Sequence, residues 1–431
     1  MQSMNKRLIF IILYTILLSL FSISVMAEKK EKSKQQESVK SVLKDARASI
    51  KSQRDQSKHV DALNKLMLRE GLTSAEKSEI RITQAQLRLS ENDAENMKAY
   101  LKQKYDTAKY FSTLLDACKY AIMCDSTDTL PNAKGKIAPL HRTRSRDILM
   151  RSRRNIYAGG LFFLRKNDFE KALPYLSMYI EETDEPLLKD ANLVADTLLK
   201  RASFYATVSA YNIKKHRTAL KYIDQAIAGA TAKQAPDLQE YKVRCYEAVK
   251  DTTLWLKAMY DGCENWPRHD FFFTALMEYF ENEKQYDYAI DLADTMLNRV
   301  QDIPLYWYAK SMMYMHKSDW ARCEEMSDSV LARDSSHLDA LYNKGVSIIN
   351  QAMEFAETAC YDIKNPKCRR DRLKLQEIYR RAEAPFERLR REQPDKKNRW
   401  AKALYRIYLH LNKGKEFAEI EKVVKEDTAS N

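Results

Sequence analysis

The chain has 431 residues, 45% of them apolar and 31% charged, with only 8 glycines and 10 prolines. That length exceeds one ordinary globular core, and so few turn-forming residues argue against an all-β sandwich or barrel, leaving several domains or a helical repeat array. The net charge of +13 bears on partners, which should be anionic, rather than on the fold.

In chain order, Lys6 and Arg7 precede a largely apolar run from Leu8 to Phe21, and Val25-Met26-Ala27 ends in small residues at alternate positions. That pattern predicts a secretory signal over 1–27 cut after Ala27, with an uncleaved membrane anchor as the alternative. Cleavage would take the net charge from +13 to +11, since Lys6 and Arg7 are the only charged residues removed. An exported protein of the bacterial periplasm or cell envelope is expected, for which nucleic acid is not an expected partner. Residues 28–38 are rich in Lys, Glu and Gln without apolar periodicity and read as a mobile N-terminus.

Helical spacing begins with Val39, Val42, Leu43, Ala46 and Ile50, and continues with Val60, Leu63, Leu66 and Met67 up to Gly71. Thr73 or Ser74 can cap the next helix, which carries Ile80, Leu87 and Leu89. A long helical segment is expected from Asp93 to Met123, with Tyr100, Leu101, Tyr105, Phe111 and Cys118 on one face. Residues 39–124 thus read as degenerate helical hairpins. Pro131, Gly135 and Pro139 make 125–141 the longest expected loop.

The span 142–337 is more regular. Gly160, Phe163, Asn167, Phe169 and Ala172 mark a hairpin with its turn at Asn167-Asp168, and extra residues around 186–199 are expected to lengthen the following first helix. From Pro236 the pattern repeats every 34 residues: Pro236, Asp270, Pro304 and Leu338 open successive units, and Tyr246, Phe280, Tyr314 and Ile348 share a column. Small residues at Ala172, Ala219, Ala289 and Cys323 let paired helices approach, whereas Trp255 in the same column should splay its hairpin or shift its register. In 338–394 the second-helix signature at Ala382, Phe386, Leu389 and Pro394 arrives 25 residues late. A long projecting hairpin with its tip at Asn365-Pro366 accounts for that delay. Residues 395–431 supply a last, more charged helix pair as a cap.

A 34-residue step with a bulky residue, a small residue four on and an aromatic three further resembles the tetratricopeptide repeat (TPR) family. The resemblance implies an all-α, tetratricopeptide-like α-α superhelical solenoid whose concave side, lined by first helices, binds a protein or peptide without cofactor or metal. Carried onto this register, that side holds Tyr157, Phe204 and Tyr211, then Arg244, then Tyr308, Met312 and His316, and finally Tyr342 and Asn350. The best-known members hold a terminal carboxylate with Lys, Asn and Arg at positions that here carry Tyr308, Met312 and Tyr342, which argues against that mode.

No glycine-rich phosphate loop, Gly-x-Ser-x-Gly or His-x-x-x-His occurs, so a non-enzymatic scaffold is expected. The alternative is a glycan-binding protein or all-α enzyme with an internal pocket, which would need carboxylates clustered beside aromatics. Two basic clusters, Arg142 to Arg154 (with Arg144, Arg146, Arg151 and Arg153) and 369–391, read as solvated faces or as a site for an anionic surface. Of seven cysteines, Cys245, Cys263 and Cys323 are expected to be buried thiols. Cys118 and Cys124 lie too far apart on one helix to bridge. Cys360 and Cys368 flank the hairpin tip and are expected to pair in an oxidising compartment.

Overall fold

Every regular element in the computed structural model, which describes residues 39–132, 134–360 and 364–429, is helical. The expected signal and mobile segment fall outside those residues. The chain divides into two compact units, Met1–Leu238 and Gln239–Asn431. The first contains α1 (39–52), α2 (Gln56–Met67), α3 (Ser74–Tyr100), α4 (Thr107–Asp128), α5 (Arg142–Leu164), α6 (Phe169–Glu181), α7 (Leu199–Asn212) and α8 (His216–Ile227). Helix α9 (Ala235–Ala248) spans the division. The second unit contains α10 (Thr252–Asn265), α11 (Asp270–Asn282), α12 (Tyr286–Arg299), α13 (Pro304–His316), α14 (Trp320–Arg333), α15 (Leu338–Thr358), α16 (Pro366–Glu392), α17 (Lys397–Leu411) and α18 (Gly414–Ala429). Within each unit successive helices pack on one another, and α13 and α17 also flank α15.

One turn closes most hairpins. At Lys250, Lys284 and Ser318, spaced by the repeat, the backbone enters the left-handed region. The following N–H groups of Asp251, Gln285 and Asp319 donate to the carbonyls of Tyr246, Phe280 and Tyr314 at 3.0, 2.7 and 2.9 Å. This is the six-to-one helix-ending bond, which satisfies a carbonyl the helix itself leaves unpaired. Asn167 and Lys214 close α5 and α7 in the same way, with Asp168 N–H to Phe163 and Lys215 N–H to Ala210. The aromatic column of the sequence is therefore the anchor of the turn.

The small positions do what close packing requires. Ala172, Ala219, Ala289 and Cys323 are wholly buried. A Cβ on Gly345 would lie 2.7 Å from the Phe386 ring, so the glycine is what lets α16 seat that ring against α15. Trp255 is half-buried and tilts against Tyr279 of α11 at 5.5 Å, while Gly262 lies directly under the Phe272 ring, so α10 makes its close contacts with α11.

Three expectations are corrected. The segment from Asp93 to Met123 is two helices, because Lys102 turns left-handed and Asp106 caps α4 by accepting from Lys109 N–H at 3.0 Å. The loop expected over 125–141 begins at 129, since α4 runs on to Asp128. Residues 186–199 do not lengthen α7 but form two 3-10 turns, Pro186–Ala191 and Leu193–Ala195, with Leu187 and Leu188 buried. The long hairpin is present. Helices α15 and α16 have 21 and 27 residues against 13 and 14 in α13 and α14, roughly 12 and 20 Å of extra length. Asn365 caps α16, with Pro366 at its first position.

Candidate functional site

On the first-helix side of the second unit, a recess of about 250 Å³ opens between α15 and α17 over α16. Tyr342, Val346 and Asn350 of α15 recur at helical spacing along one wall, Phe386 of α16 lies at its base, and Arg399, Lys402 and Arg406 of α17 form the other wall. The same spacing that turns these three cations to the recess turns Trp400, Leu404, Ile407 and Tyr408 into the core, where each is buried. Arg399 stacks 4.7 Å from the Tyr342 ring centre and pairs with Asp339 at 2.7 Å. Tyr342 also meets Phe386 edge-on at 6.4 Å. Lys402 and Arg406 are exposed and make no ion pair among the described residues, and no carboxylate lines the recess. Asn350 donates to Val346 O at 2.9 Å and keeps its amide oxygen for a ligand. The arrangement offers apolar and aromatic surface beside uncompensated positive charge, with no acid, base or nucleophile pair for chemistry.

The remaining residues expected on this side are dispersed. Tyr157 is a correction: it is buried against Tyr179 at 5.1 Å, with its hydroxyl unpartnered, because α6 closes over α5 at Gly159 and Gly160. Phe204 and Tyr211 are half-buried, against Tyr205 and His216. Arg244 is exposed but bound to Glu240 and set over the Phe271 ring. Tyr308 packs on His337 at 4.7 Å, and burial raises its hydroxyl pKa. Met312 puts its sulfur 3.5 Å from the buried Asn343 amide. His316 stacks on Tyr286 and meets Glu281 at 2.8 Å. Only Tyr342 and Asn350 come together in a recess. The three α17 cations were missed, although Arg399, Lys402 and Arg406 are readable as a basic stripe opposite the apolar one.

The two basic clusters separate into paired and unpaired groups. Arg153 is buried: it donates to Tyr179 O at 2.7 Å, to Glu182 at 2.9 Å and to Asp196 at 3.1 Å, with its guanidinium over the Tyr179 ring. Burial pushes Glu182 up to about 7 in spite of Arg153. Arg142 pairs with Asp125. Arg144 and Arg151 remain on the surface, on a polar groove of about 420 Å³ between α3 and α5 that also presents Asn92, Asp93, Asp147 and Tyr110. In the second cluster Arg381 is bound to Glu324 and Arg388 to Glu392, whereas Arg369, Arg370 and Arg372 stand exposed near the hairpin tip. Cys118, Cys124, Cys245, Cys263 and Cys323 are buried thiols, and Cys360 and Cys368 are free, half-buried thiols on either side of the tip. No group of three metal-ligating side chains occurs among the described residues.

The fold is thus an all-α, tetratricopeptide-like array of helical hairpins, with one elongated hairpin near the C-terminus. No family model and no curated protein matches the sequence. Among solved structures, the chain is similar to the C-terminal part of a TPR repeat-containing protein from Cytophaga hutchinsonii, at 13% identity and a TM-score of 0.33, over 61% of this chain and 98% of that one. It is also similar to a TPR repeats protein from Bacteroides fragilis, at 15% identity and a TM-score of 0.29, over 64% and 98%. Yeast Tom70 is a further one, at 11% identity and a TM-score of 0.31, over 91% and 92%.

Proposed function

We propose that the protein is a non-enzymatic scaffold of the cell envelope that holds an acidic, partly apolar segment of a protein partner in the α15–α17 recess. The observation that carries this reading is the meeting of Tyr342, Val346 and Phe386 with Arg399, Lys402 and Arg406 in a recess without a carboxylate. Tyr can bury its ring and keep its hydroxyl wet, and Arg beside aromatic surface is the usual composition of a binding hot spot. Tyr342→Ala should weaken binding of a fluorescent peptide alternating Glu with Leu and Phe by tenfold or more, at about 2 kcal/mol for a hot spot, with circular dichroism unchanged. Tyr308→Ala, which lies outside the recess, should leave binding near its original strength whatever it does to melting. The reverse pattern would place the binding surface elsewhere.

A second reading has one observation in its favour. In the α3–α5 groove Asp93 and Asp147 sit with Asn92 and Tyr110, and desolvation raises Asp93 above the ordinary carboxylate range. Carboxylates beside an aromatic are what a glycan site would need, so saturable binding of an uncharged oligosaccharide that Asp147→Ala abolishes would favour that reading.

Export and oxidation belong to the same proposal. Mature protein recovered from the envelope is expected to begin at Glu28, and Cys360 and Cys368, unbonded in this structure, are expected to join once the chain is in an oxidising compartment. Non-reducing peptide mapping should find those two peptides joined, and alkylation of both thiols would remove the disulfide from the proposal.

A further inference from the structure

The turn that joins α3 to α4 and the turn that follows α5 meet at one edge of the first unit. Phe111 in the first turns of α4 packs 5.3 Å from Phe162 in the last turn of α5, and a shallow recess there is shared by Lys104, Tyr105, Phe162 and Lys166.

This edge is basic and its apolar groups are uncovered. Lys102, Lys104, Arg165 and Lys166 are all exposed and make no ion pair among the described residues. The acids nearby are occupied. Glu95 is buried, accepts from Asp106 N–H at 3.1 Å and meets Lys98 at 2.9 Å and Lys109 at 3.6 Å, while Asp168 caps α6 and pairs with Lys171. At the end of α3, Met97, Tyr100 and Leu101 share one face and are 57, 83 and 54% exposed. Tyr105 follows on the turn. Exposing these side chains costs hydrophobic free energy that an isolated surface does not return. No described helix is long and apolar enough to cross a membrane.

We infer that this edge is a docking surface for an anionic lipid bilayer, with Met97, Tyr100 and Leu101 entering the headgroup layer and the flanking Lys and Arg side chains meeting its charge. Three features favour a bilayer over an acidic protein. The cations lie on two neighbouring loop tips, and the recess between them is shallow and open. The apolar cluster stands at a helix end, where it can enter the interface without unpairing backbone groups in the helix interior. Lysine stems beside tyrosine are suited to a surface that is apolar below and charged above. The surface is separate from the α15–α17 recess and does not depend on it.

The test is co-sedimentation of the full chain with phosphatidylcholine vesicles made with and without phosphatidylglycerol. Binding is expected only with phosphatidylglycerol and should fall as salt rises. Lys102→Ala with Lys104→Ala should lose about 25-fold, roughly fivefold per cation removed. Tyr100→Ser with Leu101→Ser should lose about tenfold or more, with unchanged circular dichroism in both variants. Lys402→Glu with Arg406→Glu should bind vesicles as the parent does. Absence of binding, equal binding to neutral vesicles, or full binding by either edge variant would overturn the inference.

Discussion

Arg153→Met is expected to destabilise the first unit by about 3 to 5 kcal/mol near pH 8, the usual result of removing one partner from a buried ion pair. The reason lies in what remains. Glu182, fully buried, loses its one cation and keeps only its desolvation, and Asp196 loses the guanidinium that ties the 182–198 connection to α5. Methionine fills similar space, so a cavity is not the main term. The pH dependence separates charge from packing. Glu182 already titrates near 7, above its unfolded value of 4.5, so the folded state binds the proton more tightly than the unfolded one. For a carboxylate raised in this way, stability falls as pH rises from the unfolded pKa to the folded one. Without Arg153 the folded value climbs further and the window widens upward. Parent and variant lose stability alike up to about pH 7, where Glu182 of the parent gives up its proton, so denaturant melts should show a deficit that is level from pH 5 to about pH 7 and grows above it, and adding Glu182→Gln should remove most of that growth. A deficit independent of pH would mean that Arg153 acts by packing alone.

The second large effect is on binding. Lys402→Glu with Arg406→Glu reverses two cations on one wall of the recess and should weaken an acidic ligand by about a hundredfold or more at low salt, because like charges then face each other. Both residues are exposed and point away from Trp400, Leu404, Ile407 and Tyr408. Stability should therefore be unchanged. A variant that melts lower would show that α17 depends on its polar face, and the binding loss would then not be attributable to charge.

Much of this was legible in the sequence where local chemistry and packing agree. The 34-residue step appears as Lys250, Lys284 and Ser318 in identical turns, and the late second-helix signature of 338–394 appears as the long α15–α16 pair. Legibility failed where tertiary contacts override spacing. Periodicity alone ran α3 into α4, because a lysine in the left-handed region gives no sequence signal of the kind glycine gives. Tyr157 sits in the register of an exposed position, yet the paired glycines beside it draw α6 close enough to cover it. The arginines of 142–154 looked alike in sequence. Burial of Arg153 depends on Glu182 and Asp196, 29 and 43 residues away, and such pairing is set by the fold rather than by neighbours. The recess was half visible, since α15 was read as a binding helix and α17 only as a cap.

The central claim, an acidic partner segment held in the α15–α17 recess, is tested most directly by fluorescence anisotropy of the intact chain with the Glu-Leu-Phe peptide and with its Lys-Leu-Phe counterpart. Saturable binding of the acidic peptide alone is predicted, weakened by salt and lost in the Lys402→Glu, Arg406→Glu variant. Equal binding of both peptides, or acidic binding that survives the reversal, would contradict it.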